Sequence, residues 1–180
     1  IALIDGNLTR QLTMSIPDKA PSFFFLDIPR ADSEKFVSVV QKAAPEGVIE
    51  EVPMLRGRFV MLKDVPVAEY EAPAEAGWVL RGDRGITYAA KPPENGKLTE
   101  GEWWGPFYGG EPLVSIDADF AEAAGLEVGD MLTFGILGVE RTARIASLRR
   151  IDWESLGFNY VFVLSPNAIS DAPHKLAATG

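Results

Sequence analysis

Residues 113–148 read LVSIDADFAEAAGLEVGDMLTFGILGVERTARIASL, and this stretch decides the fold. Asp117 precedes a short helical pattern in which Phe120 and Ala124 share one face, so its carboxylate is expected to cap the helix. Gly125 follows at the position where helices often end in a left-handed residue. The stretch therefore predicts a short, capped helix that leads into a sheet.

A β-hairpin is predicted directly after this helix. Gly129-Asp130 turns the chain into a strand at Met131–Ile136, whose alternate positions carry leucine, phenylalanine and isoleucine on one face. Leu137-Gly138 makes the hairpin turn, and Val139–Leu148 runs back. Such alternation is typical of strands with one face in a core.

The first third of the chain predicts a strand followed by a helix. Ser22–Ile28 is a continuous apolar run and indicates a buried strand. Asp32 or Ser33 can cap the next helix, in which Phe36, Val40 and Ala43 would form the buried stripe. Pro45-Glu46-Gly47 would end this helix. Before this strand, apolar residues between Ile1 and Leu12 recur at helical spacing, as at the end of a longer helix.

Two further strands are expected at Val48–Met54 and Arg58–Lys63, separated by Arg56-Gly57. Near the C-terminus, Asn159–Leu164 predicts the last strong strand, and Pro166-Asn167 can begin a final helical turn. The arginines between Arg141 and Arg150 would alternate between two faces, and we expect them to be solvated at strand edges.

The middle of the chain predicts much less regular structure. Residues 64–111 are rich in proline and contain one weak strand, Gly85–Ala89. We therefore predict a single domain over residues 1–180, with a main lobe at 1–63 and 112–180 and a loop-rich inserted or edge lobe at 64–111. The fold class is mixed α/β (α+β), with short helices on largely antiparallel sheets.

Four large aromatic residues lie within six positions of this middle stretch, and their spacing follows neither a strand nor a helix. They are Trp103, Trp104, Phe107 and Tyr108. One interpretation is that the rings plug the core beneath a long loop. The other is an exposed apolar platform for a lipid-like ligand, the membrane surface or a partner protein. These four residues form the candidate interaction surface.

Composition excludes several classes of function. Apolar residues make up 47% and charged residues 24% of the chain, as in ordinary globular proteins. The longest apolar runs are far shorter than the about 20 residues of a membrane-spanning helix, so we expect a soluble segment. The net charge of −9 disfavours nucleic acid as a partner. Without cysteine, disulfides and thiol chemistry are excluded.

No catalytic, cofactor-binding or metal-binding residue is predicted. His174 stands alone near the C-terminus and is interpreted as a solvated side chain. Asp117, Asp119 and Glu122 do not match the spacing of a calcium loop and are interpreted as a helix cap and a solvated face. Nucleophile elbows and phosphate-binding glycine motifs are absent from the sequence. We therefore expect a protein that is not an enzyme.

Six segments, taken in order, resemble one family of membrane proteins. They are Pro21–Ile28, Pro53–Arg58, Gly101–Trp104, Ala124–Asp130, Ile151–Ser155 and Asn159–Val163. Together they resemble the FtsX-like permeases of ABC transporters, also called MacB-type, and within them the YbbP-like predicted permeases. The resemblance covers nearly the whole chain.

The resemblance implies a periplasmic domain held between two transmembrane helices at the bacterial inner membrane, with the ATPase in a separate subunit. It also implies a pair of mixed α/β lobes without catalytic residues, and a role in coupling ATP-driven motion to an external substrate or partner, in export or lipid-related transport. Because the chain begins with Ile1, we expect it to be a piece of a longer protein. The alternative is a soluble lipid-binding module or a hydrolase unrelated to transport.

Overall fold

A computed structural model of the chain describes residues 24–154, 159–169 and 175–179. The described strands are Phe24–Pro29 (β1), Glu50–Leu62 (β2), Val65–Pro66 (β3), Arg84–Tyr88 (β4), Gly96–Gly101 (β5), Leu113–Asp117 (β6), Met131–Ile136 (β7), Val139–Ile151 (β8), Phe162–Leu164 (β9) and Lys175–Thr179 (β10). The described helices are Ser33–Ala43 (α1), Ala74–Leu80 (α2), Ala118–Ala124 (α3) and Pro166–Ile169 (α4). The predicted mixed fold with short helices is confirmed. Within the described residues, no helix is long and apolar enough to cross a membrane.

Six of the strands close into a ring. Going round, β2 pairs with β4, β4 with β9, β9 with β6, β6 with β8, β8 with β7, and β7 again with β2. Among the described pairings, β4–β9 and β6–β8 are parallel and the others are antiparallel. The largely antiparallel sheet was predicted, but its closure was not. A ring of six strands is narrow, so side chains fill its interior.

Four phenylalanine rings form the centre of this interior. The Phe59 ring centroid lies 5.8 Å from that of Phe120, 5.0 Å from that of Phe134 and 4.8 Å from that of Phe162. Each of the four residues is at most 5% exposed. They come from β2, α3, β7 and β9, so the aromatic contacts join parts of the chain that are far apart in sequence.

The strands β2 and β8 are each 13 residues long and extend beyond the ring. The first part of β2 pairs with β10, which in turn pairs with β1. The last part of β8 pairs with β5. Each long strand therefore belongs both to the closed sheet and to a smaller extension.

The predicted break at Arg56-Gly57 is wrong, because β2 runs straight through it. Gly57 pairs with Arg84 on one side and with Ile136 on the other. A Cβ atom on Gly57 would lie only 2.6 Å from the Ile86 Cδ1 atom and 3.0 Å from the Ile136 Cγ1 atom. The glycine thus permits close approach of two neighbouring strands, which sequence patterns do not distinguish from a turn.

The local predictions around α3 and the hairpin are confirmed. The backbone N–H of Phe120 donates a hydrogen bond of 3.0 Å to the Asp117 carboxylate, which caps α3. Gly125 is left-handed, with φ of 68°. Leu137 and Gly138 both have positive φ, as a tight hairpin turn requires. The helical turn at residues 166–169 is also confirmed.

Other predictions need correction. Helix α1 has no buried residue, so its expected buried stripe is wrong: Phe36 and Val40 are half-buried and Ala43 is exposed. Of the strand expected at 159–164, only residues 162–164 form a strand, β9. The strand β10 was not predicted. The segment 1–23, with its helical pattern, and His174 lie outside the described residues.

Residues 64–111 hold more regular structure than expected. They contain α2, with three buried residues, and the strands β4 and β5. The weak strand predicted at 85–89 is confirmed as β4, which lies in the closed ring. The division into a main lobe and an inserted or edge lobe stays a prediction.

The phenylalanine cluster gives a direct test of the core. We expect Phe59→Ala to lower the free energy of unfolding by about 3–5 kcal/mol, since it removes the ring that contacts the other three. Phe107→Ala is the matched control, because Phe107 is 97% exposed and should change stability by about 0.5 kcal/mol or less. Urea unfolding of both variants makes the measurement. Equal losses in the two variants would contradict this description of the core.

Candidate interaction surface

The aromatic loop, residues 102–111, connects β5 to β6 and contains two adjacent tryptophans. Their ring centroids are 4.0 Å apart. The Trp104 Nε1–H donates a hydrogen bond of 2.8 Å to the carbonyl oxygen of Ala89, and Trp104 is 6% exposed. The Trp103 Nε1–H donates one of 3.0 Å to Ala90, and Trp103 is half-buried. Both indoles thus attach the loop to the segment after β4.

The tip of the loop is a tight turn. The backbone N–H of Tyr108 donates a hydrogen bond of 3.2 Å to the carbonyl oxygen of Gly105. Pro106 and Phe107 are therefore the two central residues, and proline is favoured at the first of these positions. The Tyr108 hydroxyl donates a hydrogen bond of 2.9 Å to the carbonyl oxygen of Glu111. Phe107 is 97% exposed, so the turn presents its ring to solvent.

Both ends of the aromatic loop are attached to the rest of the fold. Gly101 has φ of 74°, and a side chain there would collide with the carbonyl oxygen of Ala146 on β8. The next residue, Glu102, donates its backbone N–H to that same oxygen at 3.2 Å. At the other end, the Asn167 side-chain amide donates a hydrogen bond of 2.7 Å to the carbonyl oxygen of Gly110. These contacts fix the loop against β8 and α4.

The structure places the four predicted surface residues in three environments. Trp104 is buried, Trp103 and Tyr108 are half-buried, and Phe107 is almost fully exposed. Sequence spacing could not make this division, because the loop has neither helical nor strand periodicity. That these residues form a functional surface stays a prediction.

A buried charged pair lies elsewhere in the sheet, and sequence patterns did not predict it. Asp117 on β6 is in register with Arg149 on the parallel strand β8, and the two residues are 4% and 2% exposed. The Arg149 Nη2 donates hydrogen bonds to the carbonyl oxygens of Tyr160, at 2.5 Å, and Val161, at 3.2 Å. The expectation that this arginine is solvated is therefore wrong.

The other arginines of β8 agree better with the expectation. Arg144 and Arg150 are exposed, and the Arg144 Nε forms an ion pair of 2.7 Å with Glu111. Arg141 is half-buried and donates a hydrogen bond of 2.7 Å to the carbonyl oxygen of Ala168. The register of β8 against β6 shifts between Ile145 and Ser147, so the expected alternation does not hold along the strand and Arg141 and Arg149 do not share a face.

Burial shifts both members of the charged pair towards their neutral forms. It lowers the pKa of Arg149 to about 10, although the nearby Asp117 carboxylate acts in the opposite direction. It also raises the pKa of Asp117, against the hydrogen bond from the Phe120 N–H. The Asp117 Oδ1 and Arg149 Nε atoms are buried and accept or donate no hydrogen bond. Burying the charges of Asp117 and Arg149 therefore costs free energy.

The residues considered as calcium ligands are spread over different contacts. Asp117 caps α3, and the Asp119 carboxylate lies 3.9 Å from the Arg150 guanidinium at the surface. Glu122 is exposed. Across residues 24–154, 159–169 and 175–179, no three histidine or acidic side chains are grouped as metal ligands would be.

Comparison with known proteins found a similarity to a permease. The chain is 25% identical, over 177 residues, to YbbP of Escherichia coli strain K12, an uncharacterized ABC transporter permease. The matched residues are 97% of this chain and 20% of that protein, so the chain spans about a fifth of the relative's length. No family model matches the chain. No solved structure matches it.

The raised pKa of Asp117 predicts how stability depends on pH. The folded chain binds this proton at a higher pH than the unfolded chain, so the contribution of Asp117 to the free energy of unfolding is largest at low pH and falls as pH rises. As pH falls from about 7 to about 4, the original chain should therefore gain stability relative to Asp117→Asn. Urea unfolding across this range measures the difference.

Asp83→Asn serves as the control for this experiment, because the Asp83 side chain is 49% exposed in its ion pair with Arg58. It should not produce the same relative gain, since water screens a surface carboxylate. A loss of stability of the original chain relative to Asp117→Asn as pH falls would contradict the assigned environment of Asp117.

Proposed function

Proceeding from the similarity to an ABC transporter permease, we propose that the chain is a non-enzymatic domain of a permease subunit on the periplasmic face of the bacterial inner membrane. The proposal includes the FtsX-like or MacB-type class and its YbbP-like subgroup. The observation that carries it is the similarity to the permease YbbP along 97% of the chain. The domain would couple ATP-driven motion of the membrane helices to a periplasmic partner or a lipid-like substrate.

The proposed partners follow from the same premise. An ABC transporter permease works in a membrane with an ATPase. The chain spans 20% of the relative. We therefore include in the proposal the transmembrane helices of the same permease subunit and a separate ATPase subunit. The domain would contribute movement and contacts, while ATP hydrolysis would occur in the other subunit.

The path of the chain supports insertion between two membrane helices. Phe24, at the start of β1, pairs with Thr179, at the end of β10. The first and last described residues therefore lie next to each other, at the ends of two paired strands. A domain held by two helices of one membrane needs this arrangement, since both connections have to reach the same side.

The hydrogen-bonded strands offer a route for movement from these strand ends to the aromatic loop. β1 and β10 are paired to β2, β2 to β7, β7 to β8, and β8 to β5, from which the loop departs. The two 13-residue strands carry most of this distance. In the proposed mechanism, displacement of the membrane helices shifts the closed sheet as a unit and moves the loop against its partner.

Cysteine accessibility in the full-length permease tests the placement of the domain. The chain contains no cysteine. A single introduced thiol therefore gives a specific signal once any cysteines elsewhere in the full-length permease are replaced. At Gly109, an added Cβ has no heavy atom within 4 Å. We expect a membrane-impermeant maleimide to label Gly109→Cys in intact spheroplasts, because the exposed thiol would face the periplasm.

Ala121→Cys is the control, since Ala121 is 0% exposed and should react only after denaturation. If Gly109→Cys is labelled only after the membrane has been broken, the domain does not face the periplasm. The proposed function would then fail.

A further inference from the structure

Phe107 is presented to solvent in an unusual way. Of the exposed large apolar side chains in the described part of the chain, it has the highest exposed fraction, 97%. Single exposed apolar residues are common and need no explanation by themselves. Phe107 differs from these because its backbone forms a tight turn. The neighbouring aromatic side chains hold that turn in place.

The three other aromatic residues of the loop have their polar groups occupied by the chain itself. The Trp103 and Trp104 indole N–H groups and the Tyr108 hydroxyl all donate to backbone carbonyl oxygens. Their main contribution is therefore to hold the loop rather than to offer polar groups to a ligand. Since the loop is already ordered, a partner that binds Phe107 has little conformational entropy to remove.

The charges around the tip indicate the kind of partner. Residues 105–110, GPFYGG, are uncharged. The longer segment 91–111 has four glutamates and two lysines, one of the glutamates, Glu111, is paired with Arg144, and the whole chain has a net charge of −9. Glu100, just before the loop, and Glu102, its first residue, are exposed. An acidic surround repels the anionic headgroups of a bilayer and a second copy of the same chain, and it attracts a basic surface.

We propose that Phe107 is a single aromatic anchor that inserts into an apolar pocket with a basic rim on a partner protein. The inference rests on the proposed function, which places the aromatic loop outside the membrane, and it adds the chemistry of the partner. A buried aromatic anchor surrounded by weaker polar contacts is the usual arrangement of an energetic hot spot. Phe107 supplies the anchor, and Glu100 and Glu102 supply the acidic rim.

Photo-crosslinking in cells tests the anchor. The photoreactive residue p-benzoylphenylalanine replaces Phe107 in the full-length permease, and the adduct is identified by mass spectrometry. We expect one protein adduct that is not a second copy of this chain, and we expect Glu102→Lys to weaken it, because the rim charge is reversed. The same replacement at Trp78, which is 49% exposed on α2, should not give this adduct.

Binding of the identified protein to the permease then measures the anchor. Phe107→Ala should weaken affinity by at least about 30-fold, as for a hot-spot residue. Phe107→Leu, which keeps an apolar side chain, should lose less. Added salt should weaken binding, since the rim contacts are electrostatic.

Three results would overturn the proposal: no protein adduct, an adduct with another copy of the chain, or an adduct that Glu102→Lys leaves unchanged. A fourth is Phe107-dependent flotation of the permease-derived chain with vesicles of phosphatidylethanolamine and phosphatidylglycerol, because the occupant would then be lipid. Labelling of Gly109→Cys in spheroplasts distinguishes failure of the anchor proposal from failure of the proposed function. If the label reaches Gly109 and the anchor test fails, the proposed function stands and only the anchor is lost.

Discussion

Closure of the six-stranded ring is the constraint on which the rest of the structure depends. A ring this narrow has to be filled by side chains, and here Phe59, Phe120, Phe134 and Phe162 fill its centre. Closure also leaves the ring strands without free edges where they are paired on both sides, and β10 and β5 attach at the extensions of β2 and β8. Gly57 is needed for the same reason, because it lets β4 and β7 approach β2 from both sides.

The same arrangement connects the proposed functional parts. The strand ends that would continue towards the membrane belong to the extension of β2, and the aromatic loop follows the extension of β8. A rigid ring between two extensions transmits movement better than separate sheets would, since its strands cannot shift without breaking several hydrogen-bonded pairings. The loop itself is held by side-chain hydrogen bonds, so movement of the sheet would reach Phe107 without being absorbed by a flexible tip.

Local signals in the sequence predicted local structure well. Asp117, Gly125 and the Leu137-Gly138 turn act over a few residues, and each has the predicted cap or turn geometry. Closure could not be predicted in this way, because it depends on the parallel pairings β4–β9 and β6–β8 between distant segments. Alternation along β8 could not show the register shift between Ile145 and Ser147 or which face is covered, so the burial of Arg149 was missed. The aromatic loop lacks periodicity, and its division into buried Trp104 and exposed Phe107 required the structure.

Native-state hydrogen exchange of the chain tests most directly whether the closed ring is the cooperative unit. Amides of the six ring strands should exchange most slowly and with one common free energy of opening, because no ring strand can separate while its neighbours stay paired. Amides of α1, which has no buried residue, and of β1 and β10 should exchange through smaller local openings. If the ring strands divide into two groups that open independently, or if α1 is as protected as they are, the account of a closed, rigid core is contradicted.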